Sequence, residues 1–91
     1  MTLRETELIG NALVKKLGFR RSKTNHQVYY LSYQYIAIDV DFYPIGNSWG
    51  VNIVYHIDTS TTVTFQGTNL NIDNIIPDAN KLRAVFNFIR S

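Results

Sequence analysis

The 91-residue chain has no cysteine and only two prolines. Without cysteine it can form no disulfide, no thiolate metal site and no cysteine nucleophile. No stretch approaches the roughly 20 consecutive apolar residues of a membrane helix, and charges near the amino terminus do not fit a signal peptide. Glycine-rich phosphate loops and serine-centred nucleophile motifs are also missing. We therefore expect a cytoplasmic protein without membrane contact, cofactor or metal.

The composition indicates a single α+β domain over residues 1–91. Hydrophobic residues make up 45% of the chain and charged residues 18%, proportions typical of a folded chain rather than a disordered one. The length suits one hydrophobic core.

The net charge of +2 is unevenly distributed along the chain. Residues 1–31 carry six basic and two acidic residues, residues 32–78 carry five aspartates and no Lys or Arg, and residues 79–91 carry three basic residues. Such an asymmetry can steer an acidic partner toward one end of a protein. Solubilising charges on helices would produce the same pattern.

The amino-terminal pattern predicts a helix over about residues 3–17. Thr2 and Glu5 have capping-box spacing, and Gly18 suits a left-handed cap. Gly10, inside the helix, indicates close packing against a sheet. The predicted apolar stripe consists of Leu8, Ile9, Ala12, Leu13 and Leu17.

From residue 19 the period changes to two, which predicts strands over residues 19–22, 27–31, 35–43, 50–58 and 61–66. Residues 44–48 form a turn-rich break, and Leu70 and Ile72 are candidates to extend the sheet edge. A second helix is predicted from Pro77-Asp78, with an apolar stripe of Leu82, Val85, Phe86 and Ile89. The expected fold is an antiparallel sheet of three to five strands with an N-terminal and a C-terminal helix packed on one face (α-β-β-β-(β)-α).

Alternation along the predicted strand 35–43 places Asp39 and Asp41 on its outer face. A neighbouring strand could bring His56 beside them, in an arrangement that suits a divalent cation or acid–base chemistry. A solvated sheet face is the alternative, and we favour it.

A basic cluster surrounds the end of the first predicted helix. Its members can neutralise phosphates, which favours a nucleic-acid or acidic-protein contact; the alternative is helix-dipole complementation and a solvated turn. The cluster consists of Lys15, Lys16, Arg20, Arg21 and Lys23.

Six tyrosines occur in the predicted strands. Tyr33, Tyr35 and Tyr43 share the parity of the aspartates, so we expect them on the open sheet face. Exposed tyrosines stack on bases or supply interface area. Because the neighbouring aspartates repel phosphates, this face favours a protein partner. The alternative is that tyrosine is simply a good strand former.

The segment from Leu13 to Tyr30 has a helix ending in Gly18-Phe19, then basic residues, then His26 opening a strand. This order resembles the start of the HicA-type ribonuclease toxins. The resemblance covers 18 of the 91 residues and implies a double-stranded-RNA-binding-like fold with His26 as the catalytic residue. Asn25 stands where the family prefers Ser.

The size and element order are also similar to small phage-encoded inhibitors, including some anti-CRISPR proteins. Two hypotheses follow. The favoured one is a non-enzymatic interaction module, encoded by a phage or other mobile element, that binds an unidentified protein or forms a homodimer through the open sheet face or an edge strand. The other is an RNA-binding module or HicA-like ribonuclease that uses the basic cluster and His26.

Overall fold

A computed structural model describes residues 1–33 and 36–75 of the chain. They form one helix and a five-stranded antiparallel sheet whose strands are adjacent in chain order. This agrees with an α+β class; the helix predicted from Pro77 lies outside the described residues. Among them, no helix is long and apolar enough to cross a membrane. The elements are α1 (Leu3–Leu17), β1 (Arg20–Arg21), β2 (Val28–Tyr33), β3 (Ile36–Ile45), β4 (Ser48–His56), β5 (Thr62–Gly67) and a 3-10 helix at Ile72–Asn74.

The caps of α1 confirm the sequence prediction. The Thr2 hydroxyl accepts a hydrogen bond from the Glu5 amide at 3.1 Å, and the Glu5 carboxylate accepts one from the Thr2 amide at 3.3 Å. Gly18 ends the helix with φ of 78°, a left-handed conformation that glycine adopts without steric cost. These local signals fix where the helix begins and ends.

One face of the sheet is covered by α1, with Gly10 at the closest approach. A Cβ at Gly10 would lie 2.1 Å from the Tyr29 hydroxyl oxygen, so the predicted role of Gly10 is confirmed. The predicted apolar stripe is only partly buried: Leu13 is inaccessible, whereas Leu8 is 58% exposed. The buried core consists of Leu13, Phe19, Tyr29, Ile38, Val40, Phe42, Val51, Tyr55 and Ile75.

The hairpin between β3 and β4 is tighter than the predicted break at 44–48. Ile45 pairs with Ser48, so the turn is only Gly46-Asn47, and Gly46 has φ of 55°. Pro44 is tolerated inside β3 because β2 pairs only as far as Asp41 there. Proline lacks a donor, and a strand position without a neighbour on one side does not need one.

Residues 68–75 follow β5 and return to the side covered by α1. Leu70 and Ile72 pack against the core and do not extend the sheet, contrary to the expectation. The Tyr55 hydroxyl donates a hydrogen bond of 2.5 Å to the carbonyl of the buried Ile75. This bond ties the segment to the middle of β4.

Candidate functional site

We call the side of the sheet opposite α1 the open face, because no element among residues 1–33 and 36–75 packs on it. The strand registers give it rows of neighbouring residues that run across the sheet. The central row is Arg20, Tyr30, Asp39, Val54 and Thr64. The row on one side is Ser32, Ala37, His56 and Thr62, and the row on the other is Val28, Asp41, Asn52 and Gln66.

Asp39 and His56 are joined on this face, as the alternation suggested. The His56 Nε2 atom lies 2.7 Å from the Asp39 Oδ2 atom. The two residues are diagonal neighbours, because Ala37 pairs with His56 and Asp39 pairs with Val54. Their side chains are 40% and 39% exposed, so the pair contributes little to stability. It fixes the direction in which each polar group points.

Asp41 does not join this pair. Burial raises the pKa of the Asp41 carboxyl above its ordinary value of 3.8, because a carboxylate loses hydration as it is covered. Its register partner is Asn52, whose buried side-chain oxygen has no hydrogen-bond partner among the described atoms. The Asp41 carboxyl and the Asn52 amide thus occupy paired positions on the open face.

Tyr43, one of the tyrosines predicted for the open face, lies on it in the structure. Tyr43 lies there half-buried, and a Cβ at its register partner Gly50 would meet the Tyr43 ring at 3.0 Å. Tyr30, which is not among the tyrosines predicted for this face, is 43% exposed in the central row. Tyr33 pairs with Ile36 in the backbone register of β2 and β3. Tyr35 lies outside the described residues.

The basic cluster is distributed over several surfaces. Lys15 and Lys16 are exposed in the last turn of α1, and Lys23 is exposed in the turn after β1. Arg20 faces the open side, opposite Tyr30. Arg21 points to the other side, where its Nε atom donates a 2.7 Å hydrogen bond to the His26 carbonyl and its guanidinium lies 5.6 Å from the Tyr29 ring centre. Strand alternation thus separates the two arginines.

His26 is exposed in the turn before β2. It lines a cavity of about 10 Å³ with Glu7, Arg21 and Tyr29, which is space for about one water molecule. A larger groove of about 300 Å³ lies beside Arg20 and Tyr30, and Leu31 and Ser32 complete its wall. The groove at Arg20 is thus much larger than the cavity at His26.

Within residues 1–33 and 36–75, no cluster of three or more His, Asp or Glu side chains has the geometry to hold a metal ion. No protein-family model, curated protein or solved structure matches the chain.

Proposed function

We propose that the protein is a non-enzymatic binding module whose open face binds another protein. The observation that carries the proposal is the pair of unmatched acceptors at Asp41 and Asn52. The half-buried Asp41 carboxylate makes no side-chain hydrogen bond or ion pair with a described residue, and the Asn52 Oδ1 atom is buried without a donor. Unmatched buried acceptors lower stability. A partner cation that approaches the partly exposed Asp41 carboxylate would offset the hydration this group loses.

The partner that fits these acceptors carries basic side chains. Residues 32–78 contain five aspartates and no Lys or Arg, so the central strands cannot supply their own cations. A Lys or Arg of the partner that approaches Asp41 would form a charge-assisted hydrogen bond. Electrostatic complementarity of this kind increases the association rate and the specificity of an interface.

Tyr30 and Tyr43 flank the acidic centre of this face. Tyr30 lies directly opposite Asp39 in the register, and Tyr43 lies two residues beyond Asp41 on β3. Residues two apart on a strand are roughly 7 Å apart, so a partner that reaches Asp41 also meets Tyr43. Tyrosine is enriched at protein interfaces because it offers apolar area and a polar tip. We therefore expect Tyr30 and Tyr43 to provide much of the binding free energy.

The open face suits a nucleic acid less well than a protein. Asp39 and Asp41 would repel a phosphate chain that crosses β3. Of the basic cluster, Arg20 faces this side, whereas Arg21 is held on the other by His26 and Tyr29. A phosphate-tracking surface requires several cations along one path. The cytoplasmic location and the phage or mobile-element origin stay predictions from the sequence.

The test uses wild-type protein as bait in a lysate of the producing cells, followed by purification of the retained partner and calorimetric titration. Tyr30→Ala, Tyr43→Ala and Asp41→Asn should each weaken binding, the tyrosine changes by about tenfold or more. Leu8→Ala, which truncates an apolar side chain exposed on α1, is the matched control and should bind like wild type. Equal binding by all four variants, or retention of nucleic acid alone, would overturn the proposal.

A further inference from the structure

The two edges of the sheet differ in their protection against pairing with another strand. β1 is two residues long, and both are arginines. β5 is six residues long and contains no charged residue and no proline. Natural sheets protect their edges with short strands, charges or prolines. The β1 edge has this protection, whereas within residues 1–33 and 36–75 the β5 edge has none.

No strand of the described part of the chain pairs with the outer edge of β5. The alternation of hydrogen bonds between β4 and β5 shows which backbone groups of β5 face this edge. The Ile57 amide donates to the Thr61 carbonyl at 3.0 Å, immediately before the β4–β5 ladder. Antiparallel pairs alternate between hydrogen-bonded and non-hydrogen-bonded, so Val63, Phe65 and Gly67 bond to β4. The amide and carbonyl groups of Thr62, Thr64 and Gln66 then point away from the sheet. The side chains of all three residues are exposed.

We infer that β5 pairs antiparallel with β5 of a second copy of this chain. A two-fold axis at Thr64 places Thr64 opposite its own copy and Thr62 opposite Gln66 of the second copy. The three outward residues of each strand then form one uninterrupted set of hydrogen-bonded pairs. No charge is brought opposite a like charge, and the two five-stranded sheets become one ten-stranded sheet.

The same register gives Phe65 a partner. Phe65 lies on the side of the sheet covered by α1, packs edge-to-face on Tyr55 with ring centres 5.8 Å apart, and is still 56% exposed. The two-fold axis sets it beside Val63 of the second copy, at a non-hydrogen-bonded position where side chains are close. Aromatic and β-branched residues pair favourably across strands. Self-pairing therefore buries an aromatic surface that is exposed in the single chain.

This interface is independent of the proposed protein-binding role of the open face, since it uses the backbone edge of β5. A six-residue strand spans roughly 20 Å, and a contact of this size falls among the small interfaces that form weak or transient complexes. We therefore expect a monomer–dimer equilibrium that depends on protein concentration.

Sedimentation equilibrium of the full chain over a range of concentrations tests the inference. Wild type should show a reversible dimer. Thr64→Lys sets two ammonium groups opposite each other at the axis and should weaken dimerisation roughly fivefold or more. Thr59→Lys adds the same charge at an exposed position in the β4–β5 turn and should dimerise like wild type.

A mixture of Thr64→Lys and Thr64→Glu separates loss of pairing from loss of folding. Each variant alone should be mostly monomeric, and the mixture should form a heterodimer because opposite charges then meet at the axis. A wild-type chain that stays monomeric at all concentrations would overturn the inference. So would a Thr64→Lys variant that dimerises like wild type, or a mixture that gains no association.

Discussion

Substitution of Gly10 by Ala tests which face of the sheet α1 covers, and hence which face is open. A new Cβ would lie 2.1 Å from the Tyr29 hydroxyl oxygen, 2.4 Å from Cζ and 2.9 Å from Cε2. Tyr29 has little room to move: it is 2% exposed and packs edge-to-face on Phe42 with ring centres 6.0 Å apart. The helix or the Tyr29 ring would therefore have to shift.

Two effects of opposite sign decide the outcome. Alanine is better than glycine inside a helix by about 1 kcal/mol. Overpacking of a tight core costs about 1–3 kcal/mol, and the upper end applies because three ring atoms are too close. The net loss in the free energy of unfolding is then about 2 kcal/mol, which lowers the melting temperature of a domain of this size by roughly 10 °C.

Urea and thermal denaturation of Gly10→Ala measure this loss directly. Asn11→Ala is the matched control, because Asn11 is exposed on the same helix and should gain about 0.5 kcal/mol from helix propensity. In the Gly10→Ala background, Tyr29→Leu should cost less than it does in wild type, because it removes the crowded ring atoms. A Gly10→Ala variant as stable as wild type, or more stable, would refute the packing of α1 on Tyr29.

Three further predictions follow from the buried polar groups. Tyr55→Phe leaves the buried Ile75 carbonyl without its donor and should lower the free energy of unfolding by about 1–2 kcal/mol, with faster amide exchange in residues 72–75. Burial raises the pKa of Asp41 above 3.8, so the free energy of unfolding falls as the pH rises from that value through the pKa of the folded state. In urea denaturation, Asp41→Asn should therefore be more stable than wild type at pH 7. The difference between the two proteins should disappear at about pH 3. Burial also raises the pKa of the Tyr29 and Tyr55 hydroxyls above 10.0. These groups should leave the free energy of unfolding unchanged below pH 10 and lower it as the pH rises further. Chemical denaturation in alkaline buffers measures this decrease.

Local features of the fold were predictable from the sequence because the information is local. Thr2, Glu5 and Gly18 determine the ends of α1 through contacts within one helical turn. Alternation along β3 and β4 correctly separated Ile38, Val40 and Phe42 from the polar positions. The contact between Gly10 and the sheet could also be anticipated, because glycine inside a helix has an energetic cost that close packing can offset.

The tyrosines of the open face were less predictable. Alternation shows which residues of one strand share a face, but it does not show which face of the next strand lies on the same side of the sheet. Tyr30 lies in β2, and its face depends on how β2 pairs with β3, which the alternation along β3 alone does not determine. The register pairs Tyr30 with Asp39, which lies on the open face. A one-residue change in register would place Tyr30 on the face covered by α1 instead. Tyr30 directly follows Tyr29, so the two side chains lie on opposite faces of β2. Tyr30 can be assigned to the open face only when the buried face of β2 is known.

The arrangement of the basic cluster in space was also not predictable from the sequence. Five basic residues that are close together in the sequence predict one basic surface. Arg20 and Arg21 are consecutive residues of a strand, so their side chains lie on opposite sides of the sheet. Arg21 contacts His26 and Tyr29. Asp39 and His56 were brought together because the β3–β4 turn contains only two residues and fixes their diagonal pairing. Proximity in sequence is thus a weak guide to a binding surface wherever the chain is extended.

Site-specific photocrosslinking in the producing cells tests the central claim most directly. A photoreactive phenylalanine analogue replaces Tyr30 on the open face in one variant and the exposed Leu8 on α1 in the other. We predict a protein adduct from position 30 that is lost when Asp41→Asn is added, and no such adduct from position 8. Nuclease-sensitive adducts from position 30, or equal protein adducts from both positions, would contradict the assignment of the open face as a protein-binding surface.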